Sequence, residues 1–398
     1  MSDFAVRELS DQHLDQYNAL LRYAFQVTEK ILQDSGWEED DIIKSKSPIL
    51  KRAHVLGAFD GDTLVSQFAV YPLEMNVHSH TTKIGFVTSV ATYPEYTGYG
   101  LMNRLMKASL KHMKNAGQSL SLLYPYSIPL YRKKGWEIIS DKINYRIRDV
   151  QLPKNISVPG YVRRVDWENK DFKDLHTLFA SRTHGCIYRN ALAWEEYWRW
   201  DEDDTTVAVY YSKDHQPLGY MVYLIKDDIM FIKEMIYLNT ESWKGLRRFI
   251  SAHESMVYEV RGASYYSEPI AFGLEDSDIK EYIRPYIMGR IVDVEAFLKT
   301  YRWNLDVSGH VTLIISDPLL EWNNRRLSLR VDEGQGELIT EESMHTVELS
   351  IGSLTTWLMG YKRATELLRL EHLKTQEQTA RMMDRLVLPE KPYISDYI

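Results

Sequence analysis

The chain has 398 residues, which is long for a single hydrophobic core, so two to three domains are expected. Its 48 basic and 56 acidic side chains give a net charge of −8. This balance argues against binding to nucleic acid or to an anionic membrane, because both require a basic surface. Cys186 is the only cysteine, which excludes an intramolecular disulfide and a cysteine-rich zinc site.

The start of the chain, MSDFAVRELS, lacks the basic-then-apolar pattern of a signal peptide, and no apolar run is long enough to span a bilayer. These two features predict a soluble cytoplasmic protein. No linker or low-complexity tract separates the parts of the chain, so the predicted domains should pack against one another. We place them at residues 1–150, 151–290 and 291–398.

The first unit opens with a predicted strand, Phe4 to Leu9, and a helix that begins at Asp11. The helix places its apolar residues on one stripe: Leu14, Tyr17, Leu20, Leu21 and Phe25. The segments AHVLGAF and TLVSQFAVY then form a predicted hairpin around Asp60 and Gly61, where glycine supplies the positive φ of a tight turn. A third strand is predicted at Glu74 to His78.

The segment GFVTSVATYPEYTGYGLMNRLM is the most informative part of the unit. A predicted strand, Phe86 to Thr92, leads into a loop that contains Gly98 and Gly100, and an amphipathic helix follows until Gly117 stops it. The helix has one apolar face: Met102, Met106, Leu110 and Met113. Free N–H groups at a helix N-terminus next to glycines are suited to binding phosphate oxygens.

A second strand that ends near Tyr124, and a short helix in the motif PLYRKKGW, complete a pattern that resembles the acetyl-CoA site of the GNAT N-acetyltransferases. The resemblance implies acetyl-CoA as the co-substrate and no metal. It also implies contacts with coenzyme A at eleven positions: Val90, Ala91, Thr92, Gly98, Tyr99, Gly100, Leu101, Met102, Asn103, Tyr126 and Ser127. Glu95 stands where that family has Arg or Gln, so its side chain is expected to point away from the phosphates.

Acetyl transfer also needs an oxyanion donor and a proton donor. The resemblance places the oxyanion donor among the backbone N–H groups of Val90 to Thr92, on a strand that splays from its neighbour in that family. It places the proton donor at Tyr131. The ordinary pKa of a phenol, ~10, suits this role, because such a group donates rather than accepts a proton at neutral pH. Tyr124 and Tyr126 are nearby alternatives.

The second unit repeats the order of the first one weakly. The segments VAVYY and LGYMVYLI form a predicted hairpin around Asp214 to Pro217. The next strand is predicted at Asp228 to Leu238, and the helix behind it at Thr240 to Tyr258. Because the loop NTESWKG has no glycine pair, we predict a second GNAT-like domain that lacks the phosphate-binding loop.

The third unit combines predicted strands at VTLIIS, LSLRV and TVELS with an acidic turn from Asp332 to Gly336. Its helices are predicted around Leu354 to Gly360, Arg363 to Leu373 and Gln376 to Leu386. The last segment, LPEKPYISDYI, has apolar and aromatic residues to bury, which is unusual for a frayed terminus.

Taken with VTSVATYPEYTGYGLMNRLM and SIPLYRKKGW, the segments RIVDVEAFL and PYISDYI resemble the Eis (enhanced intracellular survival) family over the whole chain. The resemblance implies an α/β (α+β) fold with tandem GNAT-like domains followed by a sterol-carrier-protein-like α+β domain. It also implies a homohexamer. In that family the C-terminal carboxylate is the catalytic base, which here is the carboxylate of Ile398. Asp396 is expected to add negative field for a cationic amine.

No other base stands out, because His78, His80 and His112 are more typical of solvated or structural histidines. The predicted function is therefore N-acetylation of a cationic small molecule, such as an aminoglycoside, in a wide acidic pocket. The acidic run from Glu38 to Asp41 either lines that pocket or forms a solvated loop. Two alternatives stay open: a protein-lysine or polyamine acetyltransferase, and a non-catalytic GNAT or lipid-carrier binding protein.

Overall fold

The computed structural model describes residues 4–28, 30–31, 39–199 and 204–398, without the side chains of residues 39–44. Within these ranges the strands are β1 Ala5–Glu8, β2 His54–Asp60, β3 Thr63–Val77, β4 His80–Thr92, β5 Leu120–Leu123, β6 Glu137–Ile138, β7 Asp141–Arg148, β8 Tyr161–Val165, β9 Ile187–Tyr188, β10 Thr206–Tyr211, β11 Pro217–Lys226, β12 Ile229–Tyr237, β13 Glu259–Ser264, β14 Lys280–Pro285, β15 Met288–Ile291, β16 Gly309–Ser316, β17 Arg325–Asp332, β18 Gln335–Ile339, β19 Thr346–Ser350 and β20 Leu373–Lys374.

The α-helices of the same ranges are α1 Leu14–Ala24, α2 Glu39–Arg52, α3 Leu101–Asn115, α4 Ile128–Arg132, α5 Lys170–Arg182, α6 Ala191–Trp198, α7 Thr240–Ser251, α8 Val294–Thr300, α9 Ile351–Leu358, α10 Ala364–Arg369 and α11 Glu377–Leu386. None of these helices is long and apolar enough to cross a membrane.

The described strands form three sheets, of eight, seven and five strands. The first sheet has the order β1-β2-β3-β4-β5-β15-β6, with β9 paired to β3. The second has the order β14-β7-β13-β12-β11-β10-β8, and the third has the order β18-β17-β16-β19-β20. The fold is therefore mixed α/β, with two large sheets followed by a smaller α+β unit, as predicted.

The two large sheets exchange strands. β7 follows the first sheet in the chain, yet it pairs with β13 and β14 in the second sheet. β15 follows the second sheet in the chain, yet it pairs with β5 and β6 in the first sheet. Each sheet is thus completed by a strand that the sequence order assigns to the other, and the two halves share one framework.

Local patterns placed the elements of the first sheet well. The hairpin turns at Gly61, and α3 buries Leu101, Leu105, Met106, Leu110 and Met113 against the sheet as an amphipathic helix should. The third strand predicted at residues 74–78 is wrong as a separate element, because β3 continues unbroken from Thr63 to Val77.

Two predicted helices are shorter than expected, and one stripe residue is misplaced. The helix predicted to reach Tyr258 ends at Ser251, and the helix predicted to reach Leu373 ends at Arg369, before β20 begins. The side chain of Phe25 is 55% exposed and lies outside α1, so the buried stripe of α1 comprises Tyr17, Leu20 and Leu21.

The third sheet is joined to the first through α9, whose residues are all buried. Thr355 accepts the backbone N–H of Ile291 at 3.0 Å, and the Thr356 hydroxyl donates to the carbonyl oxygen of Ile138 at 2.8 Å. These bonds hold the third unit against the edge of the first sheet. The chain can then return to the first two units with its last residues.

Candidate active site

The first sheet opens between β4 and β5. The two strands pair in parallel only from Ile84 to Val87, opposite Leu120 to Leu123, where β5 ends. β4 continues to Thr92 and stays paired to β3 on its other edge. The edge of β4 that faces β5 therefore presents unpaired backbone groups after Val87, as the expected splay requires.

A β-bulge interrupts β4 within this open stretch. Ser89 has a φ of 54°, the register with β3 shifts between Gln67 and Ala69, and the Tyr17 hydroxyl donates to the Ser89 hydroxyl at 2.9 Å. After the bulge, the N–H of Tyr93 donates to the carbonyl oxygen of Val65 on β3 at 3.0 Å. Because the directions of the N–H groups alternate along a strand, this bond also fixes the directions of the N–H groups that precede Tyr93.

By that alternation, Ala91 directs its N–H toward Gln67, its partner on β3, whereas Val90 and Thr92 direct theirs toward the open edge. The Ala91 carbonyl oxygen also accepts the Ser66 hydroxyl at 3.1 Å. Of the three residues predicted to supply the oxyanion donor, Val90 and Thr92 are therefore oriented for it. Ala91 is engaged in pairing.

The glycine loop leads into α3 as predicted. Gly98 and Gly100 have φ values of 88° and 73°, which an L side chain rarely adopts. A Cβ added at either glycine would meet nothing within 4 Å, so the space in front of the loop is open. Gly100 is the N-cap of α3 and offers no side-chain acceptor, so the first N–H groups of α3, from Leu101 to Asn103, have no intrahelical partner.

Other predicted residues of the loop are exposed. Glu95 lies on an exposed 3₁₀ turn that precedes the glycines, from Pro94 to Tyr96. Tyr99 is 59% exposed and packs edge-on against Phe4, with ring centroids 5.3 Å apart. These contacts attach the N-terminal strand to the loop and leave the backbone of the loop accessible to an anion.

Tyr131 lies on α4, beyond the open end of β5. It is 6% exposed, and its ring meets that of Trp136 edge-on with the centroids 6.0 Å apart. Burial raises the pKa of Tyr131 to about 12, so the hydroxyl stays protonated at neutral pH. Ser127 is the N-cap of α4, and its carbonyl oxygen accepts the N–H of Tyr131 at 3.3 Å. Tyr126 is 93% exposed.

The end of the chain reaches the open stretch of β4. Ile398 lines a pocket of about 230 Å³ together with Thr88 and Ser89 of the bulge. The neighbouring ring of Tyr397 meets Tyr124, the residue after β5, edge-on at a centroid distance of 5.0 Å. The structure thus brings the C-terminal residue to the point where β4 and β5 separate. This is the location that the resemblance implied.

A buried ion-pair network anchors this tail. The Arg189 Nε donates to the Asp396 Oδ1 at 2.6 Å, and the same guanidinium binds Glu234 through two bonds of 2.7 and 3.0 Å. The Ser395 hydroxyl donates to the Glu234 Oε1 at 2.7 Å. The side chains of Arg189, Glu234 and Asp396 are 0%, 1% and 3% exposed. Fork-shaped bonding of this kind fixes position as well as charge.

The expected role of Asp396 is wrong. Its carboxylate is bonded to Arg189 inside the protein and does not line the pocket of Ile398. Burial, with repulsion from Glu234, raises the pKa of Asp396 although Arg189 opposes the shift. Asp396 positions the tail, and Ile398 and Glu196 are the described residues of the smaller pocket that carry a carboxylate.

A larger cavity of about 670 Å³ adjoins the tail and shares Glu196 and Tyr397 with the smaller pocket. Its described lining includes four cationic side chains, Lys142, Lys233, Arg261 and Arg284, and two carboxylates, Glu196 and Glu234. The expected wide acidic pocket is therefore wrong for the described residues. The acidic run from Glu38 to Asp41 lies outside the residues whose side chains the structure describes.

Sequence reasoning missed four charged residues of the smaller pocket: Arg22, Lys46, Glu196 and Arg199. Glu196 accepts the Tyr71 hydroxyl at 2.8 Å and is paired with Arg199. Burial, together with the charge of Arg199, lowers the pKa of Lys46 to about 8. No sequence motif marks these residues, because α1, α2 and α6 approach the bulge only through the fold.

The histidines considered as bases do not line this pocket. His78 is 2% exposed and stacks on His184 at 3.7 Å, in the packing between the first and third units. His112 stacks on His54 at 3.6 Å, on the outer face of α3. Both are structural contacts.

The second sheet repeats the split without the phosphate-binding loop. β12 and β13 pair only from Ile229 to Ile232, and a cavity of about 620 Å³ lies beyond that point. The following helix, α7, is capped by Asn239, whose side chain accepts the N–H of Ser242 at 2.9 Å. The Asn239 side chain occupies the N-terminus of α7, whereas the N-terminus of α3 has no such cap. The split in the second sheet is therefore not arranged to bind a pyrophosphate.

Comparison with known proteins agrees with this geometry. Residues 5–139 and residues 185–291 match acetyltransferase (GNAT) domains, and residues 294–395 match a sterol carrier protein domain. The chain is therefore a GNAT N-acetyltransferase that combines two GNAT domains with a sterol-carrier-protein-like domain.

Individual relatives match most or all of the chain. A protein of Streptomyces avermitilis described as an uncharacterized N-acetyltransferase is 23% identical over 367 residues, which cover 85% of this chain and 86% of that one. A probable N-acyltransferase of Enterococcus faecalis superposes with a TM-score of 0.91 at 25% identity, with 100% of both chains covered. Eis1 of Mycobacterium abscessus superposes with a TM-score of 0.81 at 18% identity, over 99% of this chain and 100% of that one, and so shares its fold.

Proposed function

We propose that this enzyme transfers an acetyl group from acetyl-CoA to the amine of a small molecule held in the 230 Å³ pocket beside the β4 bulge. The observation that carries the proposal is the position of Ile398, the last residue of the chain, in the wall of that pocket. A buried network holds Ser395 and Asp396, two of the three residues before it, which supports a fixed position for the terminal carboxylate.

Residues of the first unit fit coenzyme A. The open space before Gly98 and Gly100 and the free N–H groups of Leu101 to Asn103 suit its pyrophosphate. The unpaired edge of β4 suits the amide groups of its pantetheine arm. When bound, acetyl-CoA supplies the thioester that is transferred. The N–H groups of Val90 and Thr92 would then stabilise the negative charge that develops on the acetyl oxygen.

Two groups would move protons. The carboxylate of Ile398 accepts the proton that the amine nitrogen releases as its bond to the acetyl carbon forms and the carbon–sulfur bond breaks. The hydroxyl of Tyr131 donates to the departing thiolate, a role that suits a phenol kept protonated by a pKa of about 12. Lys46, with a pKa lowered to about 8, is the competing base in the same pocket.

The acceptor class is the finer part of the proposal. Aminoglycosides, which the resemblance to the Eis family suggested, and polyamines are polycations. The cationic lining of the adjoining cavity disfavours both, whereas a small amine with less positive charge fits. Protein lysines belong in the same panel of acceptors. From the resemblance alone we also propose a homohexamer, and a light-scattering mass near 46.7 kDa, that of one chain, would contradict it.

The test is to move the terminal carboxylate. A few residues added after Ile398, or removal of the last residues, should strongly reduce thiol release from acetyl-CoA in the presence of amines, while calorimetry still detects coenzyme A binding. Ile398→Leu keeps the carboxylate and nearly the same apolar volume, so it should be mild. The same extension at the N-terminus is the matched control.

Full activity in the C-terminally extended protein would contradict this assignment and exclude the carboxylate as base. If Lys46→Met were also inactive, the base would be Lys46.

A further inference from the structure

Four neighbouring strands of the second sheet each contribute one cation to the 670 Å³ cavity. In the order β14, β7, β13 and β12 these side chains are Arg284, Lys142, Arg261 and Lys233. They lie on the face of the sheet that the tail approaches. Concentration of one sign of charge in a concave site attracts ligands of the other sign.

The pairing of two of these cations is unfavourable for the fold. Arg284 lies directly opposite Lys142 in the antiparallel register of β14 and β7, and like charges in that position destabilise a sheet. Within the described ranges neither side chain forms an ion pair. Burial, with repulsion from Arg284 and Lys233, lowers the pKa of Lys142. An anion bound between the side chains of Arg284 and Lys142 would relieve their repulsion.

The carboxylates that line the same cavity are already engaged. Glu234 is bonded to Arg189, and Glu196 accepts the Tyr71 hydroxyl and is paired with Arg199. Of the four cations, Arg261 is paired with Glu259, and Lys233 contacts the Tyr197 carbonyl oxygen. The described lining therefore leaves Arg284 and Lys142 as the pair that can bind an incoming anion.

The cationic face is continuous with the proposed acetylation site. Lys142 Nζ lies over the ring of Tyr286, 5.4 Å from its centroid. The Tyr286 hydroxyl lies 3.3 Å from the carbonyl oxygens of both Ser395 and Asp396. Tyr397 lines the cationic cavity and the pocket of Ile398 alike. One small molecule can therefore extend from the cations to the terminal carboxylate.

We infer that the acceptor is an amine that also carries a carboxylate or phosphate group, which Arg284 and Lys142 bind while the amine reaches Ile398. This inference rests on the proposed acetyl transfer. A cavity of about 670 Å³ is within the range of pockets that enclose small ligands. Guanidinium and ammonium groups bind both kinds of anion through charge-assisted hydrogen bonds.

The experiment compares acceptors that differ only in the anionic group. Ethanolamine phosphate is measured against ethanolamine, and glycylglycine against glycylglycinamide, with kanamycin and spermidine as polycations. In each pair the anionic member should show a kcat/KM about tenfold higher or more, the value of one charge-assisted hydrogen bond of about 1.4 kcal/mol. The pair with the larger ratio identifies phosphate or carboxylate as the preferred anion.

Two variants test whether Arg284 and Lys142 cause the preference for the anionic acceptor. Arg284→Gln and Lys142→Gln should bring the ratio toward one, mainly by raising KM for the anionic member. Arg163→Gln removes the same charge from an exposed position on β8, at the opposite edge of the sheet, and should keep the ratio. Calorimetry of ethanolamine phosphate, without acetyl-CoA, should show binding that Arg284→Gln weakens.

The outcomes separate the two proposals. Ratios of one or less, or a preference for kanamycin or spermidine, would overturn the anionic acceptor and leave acetyl transfer intact. If no amine is acetylated, acetyl transfer to small amines fails, and calorimetry still decides the anion site. Binding of ethanolamine phosphate that Arg284→Gln does not weaken would overturn that site.

Discussion

Replacement of Arg189 by Met should release the C-terminal tail. The substitution keeps the apolar stem and removes the only cation that the network shows between Glu234 and Asp396, both of which are buried. Removing one partner of a buried ion pair typically costs about 3–5 kcal/mol, because the remaining charge stays desolvated. Here two carboxylates would remain, and each repels the other.

The structure indicates how this energy is relieved. Glu234 is fixed in β12, whereas Asp396 stands near the chain end and can leave with residues 395–398. Tyr393 and Ile394 are 3% and 0% exposed and can stay in place, held in part by a 2.8 Å bond from the Tyr393 N–H to the His184 carbonyl oxygen. A change of about 3–5 kcal/mol shifts the docking equilibrium by about 10² to 10³ or more. Acetylation should then fall by at least about tenfold.

Three measurements check this prediction. Thiol release should fall, calorimetry should show unchanged coenzyme A affinity, and carboxypeptidase should remove Ile398 and Tyr397 faster than from the native protein. Arg182→Met, an exposed position at the end of α5, is the matched control. Asp396→Asn should be milder, because asparagine can still accept a hydrogen bond from Arg189, which stays paired with Glu234.

Combining Asp396→Asn with Arg189→Met should restore part of the activity, since the repulsion between the two carboxylates is then removed. Full activity and a protected tail in Arg189→Met alone would refute the reasoning. So would loss of activity with the tail still protected, because the effect would then not pass through docking.

Three further predictions concern the cofactor, the acid and the pH dependence of stability. Calorimetry should detect one coenzyme A per chain, and Gly100→Asp should abolish this binding. Two sites per chain would contradict the inference that the Asn239 cap prevents pyrophosphate binding in the second sheet. Tyr131→Phe should lower turnover by about 10² or more at unchanged coenzyme A affinity, and unchanged turnover would exclude it as the acid. Burial and Arg189 lower the pKa of His176 to about 3, so between about pH 6.5 and pH 3 mainly the unfolded chain binds that proton. The free energy of unfolding should therefore decrease as the pH is lowered through this window, by up to about 1.4 kcal/mol per unit, and His176→Gln should reduce the slope.

Local patterns were sufficient for the parts of the site that lie within a short stretch of chain. The glycine loop and the start of α3 at Leu101 follow from residues within one strand–loop–helix segment, whereas the role of Tyr131 came from family resemblance. Turn chemistry and helical periodicity act over a few residues, so they can be read from the sequence. The role of Ile398 came from family resemblance, and its position beside Ser89 agrees with it.

Long-range pairing could not be predicted in the same way. β15 joins β5 in the first sheet from far along the chain, and strand partners so distant leave no periodic signal. The ion-pair network that anchors the tail could not be predicted either, since Arg189, Glu234 and Asp396 come from three separate segments. For this reason the burial of Asp396 against Arg189 does not follow from the sequence, whereas the expectation of an acidic pocket came from family resemblance.

With the proposed terminal base, acetylation would depend on all three units at once. The bulge and glycine loop belong to the first sheet, Glu234 belongs to the second, and the tail leaves the third unit after α11. A side-chain base would need only its own strand or helix to be folded. A terminal carboxylate is instead positioned by every contact that precedes it, including the packing of α9 against the first sheet through Thr355 and Thr356. In the proposed mechanism the third unit therefore acts in catalysis through its last residue alone, because its packing determines where the chain ends.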